Sequence, residues 1–167
     1  MKIYFSHGKK GTPDGRKIIK LSNIAKNKGF EIFSIDYTDV FDPEIRAQRL
    51  LDFLEQEKED YVLVGSSMGG YISLVAEEIV ENKPIGIFLM APALYLENYK
   101  KQTFFPKIKT IEVVHGWNDE VVSFTNSIKF CKQNNLCLHL LNSDHRLLNK
   151  IDEIQKLFGL FLDKLTH

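Results

Sequence analysis

Apolar runs that do not alternate with polar residues, each followed by a helical pattern, set the strongest limit on what this chain can fold into. Strand-like runs fall at 2–6, 30–36, 61–65, 85–91, 110–115 and 136–141. Helical patterns fall at about 16–28, 43–57, 69–81 and 123–134, with a long final one at 147–165. A strand with one wet face alternates apolar and polar side chains; these runs do not, so both faces must be covered. The pattern predicts an α/β fold: a three-layer sandwich with a mostly parallel sheet of about six strands and helices on both faces.

Local chemistry supports these boundaries. Asp42-Pro43-Glu44 supplies a helix cap, a proline at the first helical position and an acid in the first turn. Gly29 is placed to close the first helix. In the last helix Leu147, Ile151, Ile154, Phe158, Phe161 and Leu165 recur at spacings of four and three, which makes one apolar stripe. A chain of 167 residues suits a single domain over 1–167.

Charge excludes some partners. Lys plus Arg number 22 and Asp plus Glu 22, so no net field favours nucleic acid or an anionic membrane. Basic pairs such as Lys9-Lys10 read as solvated surface. The glycines of 8–15 lack the spacing of a phosphate-binding loop. Cys131 and Cys137 make neither a disulfide framework nor a zinc site, and both are expected buried and reduced. The N-terminus opens into a strand without a leader-like pattern, and no apolar stretch reaches membrane-spanning length. The expected location is cytoplasmic, with no metal or organic cofactor.

One segment carries the chemistry. Gly65-Ser66-Ser67-Met68-Gly69-Gly70 follows the apolar run Tyr61-Val62-Leu63-Val64 and precedes a helical pattern. A G-x-S-x-G turn between strand and helix holds its serine strained and exposed, and the next amide, that of Met68, can donate to an oxyanion. Ser66 is a poor rival, because Val64 and Met68 would replace the flanking glycines.

In parallel sheets ligands sit beyond the carboxyl ends of the strands. There the sequence places Ser6-His7-Gly8-Lys9, the serine turn, His115-Gly116-Trp117-Asn118-Asp119 and Asn142-Ser143-Asp144-His145. A serine hydroxyl needs a base, histidine suits the task near neutral pH, and a carboxylate on the far ring nitrogen fixes the tautomer. Ser67, His145 and Asp119 fill these roles. Asp144 is the competing acid, though as the neighbour of His145 it reaches the far ring nitrogen awkwardly. His7 and His115 are expected to brace loops, and His139 to be a satisfied structural histidine. Trp117 either packs over the triad or lines the pocket. His167 ends the sequence and is expected to be disordered.

These pieces, with Ala91-Pro92-Ala93 and Glu120-Val121-Val122, resemble a small, lidless member of the α/β-hydrolase superfamily that begins at that fold's third strand. Ser66 stands where many relatives carry histidine. The resemblance implies Ser67 as nucleophile, Asp119 as acid and His145 as base, with an oxyanion hole from the amides of Met68 and Lys9. It implies a serine hydrolase that cleaves a small acyl ester or thioester through an acyl-enzyme, taking a small molecule as its partner. The rival readings are a degenerate hydrolase that serves as a binding module and, within catalysis, a peptidase or a carbon–carbon bond hydrolase.

Overall fold

A computed structural model describes residues 1–166, so the expectation for His167 falls outside the described residues. Six strands form one sheet: β1 (Lys2–Ser6), β2 (Glu31–Ile35), β3 (Tyr61–Ser66), β4 (Gly86–Met90), β5 (Ile111–Gly116) and β6 (Cys137–Leu141). Their order is β2-β1-β3-β4-β5-β6, and every neighbouring pair is parallel. Between them run α1 (Arg16–Asn27), α2 (Pro43–Leu54), α3 (Met68–Ile79) and α4 (Phe124–Asn134); α5 (Ile151–Leu165) follows β6.

Successive strand residues feed opposite cores, which is why the apolar runs do not alternate. On β3, Tyr61 and Leu63 pack with α2, α3 and α4, while Val62 and Val64 pack with α1 and α5. Ile87 and Leu89 of β4 join the first core, and Phe88 and Met90 join the second. Burying a side chain of this size is worth about 1.5–3 kcal/mol, so covering both faces is the main stabilising term.

The capping chemistry is as the sequence predicts at α2: Asp42 Oδ1 accepts from the amides of Glu44 and Ile45. Gly29 adopts φ +84° after α1. The last helix differs. Leu147 lies in the left-handed region at φ 62°, a 3-10 turn spans Leu148–Lys150, and α5 starts only at Ile151. Asp144 Oδ1 accepts from the amides of Arg146 and Leu147, so a local turn takes the backbone that the helix would have used. Cys137 also departs from expectation: Cys131 is buried, but Cys137 is exposed. It sits on β6, at the edge of the sheet, where coverage is incomplete.

Glu57 ties the start of β1 to the segment before β3. Its carboxylate accepts from Tyr4 Oη at 2.6 Å, from Lys2 Nζ and from the amides of Lys58 and Glu59. Burial pushes the carboxyl up, but those hydrogen bonds outweigh it and bring it down to about 2. A folded pKa below the unfolded one stabilises above the unfolded value of 4.5, and that stabilisation drains away as pH falls toward 2. Glu57→Gln should therefore flatten the acid limb of stability; urea midpoints measured between these pH values, if unchanged in shape, would refute it.

Candidate active site

The strand order reverses between β1 and β3, so the loops after these strands diverge and leave a crevice at their carboxyl ends. Ser67 stands there, the first residue after β3. Its backbone holds φ 54° and ψ −115°, a conformation that costs a residue with a Cβ of order 1–3 kcal/mol. Neighbours enforce it. The Ser67 amide donates to the Met90 carbonyl, and the Ser67 carbonyl accepts from the amides of Gly70 and Ala93. The turn is tight enough that a Cβ on Gly69 would lie 1.9 Å from the Ser6 carbonyl oxygen, and one on Gly65 2.4 Å from that of Gly69. Only glycine fits either place. Helix α3 starts at Met68, directly behind the serine and earlier than the sequence pattern suggests.

Ser67 Oγ lies 3.0 Å from His145 Nε2, and His145 Nδ1 lies 2.6 Å from Asp119 Oδ2. The structure brings these three predicted residues into one line of hydrogen bonds across sequence separations of 78 and 26. Asp119 is saturated. Its Oδ1 accepts from the amides of Val121 and Val122, both at 2.8 Å, and its Oδ2 accepts from His145 and from His115 Nε2 at 2.9 Å. Burial pushes this carboxyl up; the bonds from Val122, His145 and Val121 more than reverse that, and it titrates below the ordinary carboxylate range. Asp144, the rival acid, is committed to its own turn instead.

His115 is fully buried and braces its loop as expected, but its grip on Asp119 is not visible in the sequence. Its Nδ1 accepts from Ser127 Oγ at 2.7 Å while Nε2–H is shared between Asp119 and the Val122 carbonyl. Burial lowers its pKa despite the pull of Val122 and Asp119. Of two imidazoles on one carboxylate, burial favours the neutral form of His115, and His145 is the one that reaches Ser67. His7 also braces: Nδ1–H donates to the Gly8 carbonyl and Nε2 accepts from the Tyr37 amide.

The Gly8 loop abuts the serine, since a Cβ on Gly8 would lie 3.5 Å from Ser67 Cβ. Among the described residues neither the Lys9 nor the Met68 amide donates to a protein acceptor. Sequence reasoning missed the residue that shapes this loop. Arg46 of α2, wholly buried, donates to the carbonyls of His7, Gly8 and Lys9, with the last two at 3.1 and 3.0 Å. Its Nε donates to the Val40 carbonyl and its guanidinium lies over Tyr37. These bonds fix the carbonyl side of the loop that abuts Ser67.

Beside the triad a hollow of about 360 Å³ is lined by Asn118, Asn142, Ser143, Asp144, Arg146, Leu148 and Asn149. Trp117 is 48% exposed. Elsewhere, Glu112, Cys137 and His139 offer ligand atoms within 4.8 Å of one another at the β5–β6 edge, as a metal site requires. There His139 Nε2 bonds Glu112 at 2.8 Å, and Lys164 already ion-pairs with the same carboxylate. Among the described residues, no helix is long and apolar enough to cross a membrane.

Comparison with known proteins agrees with this architecture. The sequence profile of an uncharacterised protein family, UPF0227, matches residues 1–107. No curated protein sequence matches the chain. A protein from Xanthomonas campestris pv. campestris, described as a hydrolase of the alpha/beta superfamily, is similar over 98% of both chains, with a TM-score of 0.89 and 26% identity. Est1E from Butyrivibrio proteoclasticus, with ferulic acid bound, is similar over 99% of this chain and 89% of its own, at TM-score 0.81 and 15% identity. Mouse alpha/beta hydrolase domain-containing protein 10 is similar over 98% and 90%, at TM-score 0.77 and 19% identity. At those identities the last two speak for the fold alone.

Proposed function

The chain belongs to the uncharacterised protein family UPF0227 and has the fold of the α/β-hydrolase superfamily, and from that premise we propose that it is a serine hydrolase acting on a small ester or thioester. The observation that carries this reading is the unbroken line from Ser67 Oγ through the His145 ring to Asp119 Oδ2, anchored on a strained turn. Because His145 Nδ1–H donates to Asp119, its Nε2 lone pair faces the hydroxyl. Ser67 Oγ attacks the carbonyl carbon as Nε2 takes its proton, and the amides of Met68 and Lys9 hold the oxyanion. Such a donor is worth about 3–4 kcal/mol in the transition state. The proton then passes to the departing alkoxide or thiolate, and the C–O or C–S bond breaks. Water, deprotonated by the same nitrogen, releases the acid and restores the serine.

A fluorophosphonate probe tests the reading before any substrate is known. The probe should add to Ser67 of the folded protein, located by peptide mass spectrometry, and Ser67→Ala should not react. Folded protein that stays unlabelled would leave the binding-module alternative standing and remove this one.

A further inference from the structure

Among the described residues, a cation with no carboxylate in contact stands next to the turn that carries Ser67. Lys17, in the first turn of α1, donates from Nζ to Ser66 Oγ at 2.9 Å, and Ser66 is bonded directly to Ser67. Among the described residues no carboxylate pairs with it. The acids that act on it electrostatically are Asp144 and Asp119, and both are occupied elsewhere: Asp144 by the Arg146 and Leu147 amides, Asp119 by two amides and two imidazoles. A half-buried ammonium with three donors thus has one neutral acceptor. Its surroundings add to the imbalance. The first turn of α1 carries no acid to meet the positive helix end, and Arg16 precedes Lys17 there. Burial pushes the ammonium down to about 8, and Arg146 adds to that push. A folded protein carries such an uncompensated charge at a cost, and a ligand that brings the missing anion recovers it.

Resting on the hydrolase reading above, we infer that the substrate is an ester or thioester bearing an anionic group, a carboxylate or phosphate, close to the scissile carbonyl, and that Lys17 is the residue that reads it. Lys9 and Lys10 are read from the sequence as solvated surface, and both side chains are exposed. Lys17, unlike them, is hydrogen-bonded to the turn itself. A lysine binds such a group as a point charge, so the anion's chemical type matters less than its distance from the reacting bond.

Matched ester pairs test this. On the leaving-group side the pair is 4-acetoxybenzoate and its methyl ester; on the acyl side it is the monophenyl ester of adipic acid and phenyl hexanoate. The wild-type protein should prefer the charged member of at least one pair in kcat/KM, and the pair that responds says which side of the carbonyl faces Lys17. In Lys17→Met the charged-to-neutral ratio should fall at least about tenfold through KM, and Lys17→Arg should keep most of it. The melting temperature of Lys17→Met should rise at neutral pH. A lysine whose folded pKa lies below its unfolded one costs stability while charged, and the methionine carries no charge. A ratio that is unchanged in Lys17→Met, or no charge preference in either pair, overturns the inference even while Ser67 still takes the fluorophosphonate. Failure of that labelling in folded protein overturns the hydrolase reading and this inference with it.

Discussion

Ser67→Ala should lower kcat on the best ester found for this protein by about 10⁶-fold, the scale on which subtilisin responds to loss of its nucleophile, while the fold survives. The size follows from what remains. On the proposed mechanism, with the hydroxyl gone His145 still points Nε2 at an empty position and the amides of Met68 and Lys9 would still receive an oxyanion, but water must attack without being positioned. The stability prediction is separable. Alanine has the same Cβ, so the strain of φ 54° persists, and the amide and carbonyl bonds of residue 67 do not involve the side chain. Only the His145–Ser67 hydrogen bond is lost, a contribution of about 1 kcal/mol. Ser67→Gly, by contrast, relieves the positive φ and should melt higher than Ser67→Ala. Steady-state kinetics and thermal melts on the three proteins decide it. Residual activity within tenfold of wild type would mean that the bond is cleaved by some other group.

The layered fold was legible because strand burial on both faces leaves a local trace: each apolar run records the two cores above and below its own strand. The serine turn was legible for a similar reason, since Gly65 and Gly69 answer backbone contacts within the same few residues or with the adjacent β1. Groups that act across the fold left no such trace. Arg46 meets Gly8 over a separation of 38 residues, and Lys17 meets Ser66 over 49. An arginine on an amphipathic helix and a lysine in a first turn both read as solvated until the sheet places them. His115 sits four residues from Asp119, but on a strand and its loop, where that spacing has no fixed meaning. The break at Leu147 shows the opposite failure. The spacing of apolar residues runs through it without interruption, and Asp144 overrides the pattern with a turn in which its carboxylate and its carbonyl accept from the amides that follow.

Asp119→Asn should cost about 10⁴-fold in kcat with little loss of fold, the effect seen when a buried triad acid becomes an amide. The direction follows from the four bonds on the carboxylate. The amides of Val121 and Val122 both donate to Oδ1, so the asparagine carbonyl must occupy that position. The NH₂ group then falls at Oδ2, facing the ring nitrogens of His145 and His115. An NH₂ cannot accept from His145 Nδ1–H; the imidazole keeps a bond only by moving its proton to Nε2. That tautomer presents N–H to Ser67 Oγ, and a nitrogen that already holds a proton cannot remove one. His115 cannot take over, because both its nitrogens are engaged and its ring reaches Asp119, not the serine. Asp144→Asn is the control that separates the two acids. An asparagine oxygen can still accept from the Arg146 and Leu147 amides, so the turn that presents His145 persists and the rate should change by less than about tenfold. Imidazole ¹⁵N shifts in Asp119→Asn should report the proton on Nε2 of His145. If Asp144→Asn gives the large loss and Asp119→Asn the small one, the acid has been misassigned; if neither does, His145 works without a carboxylate partner.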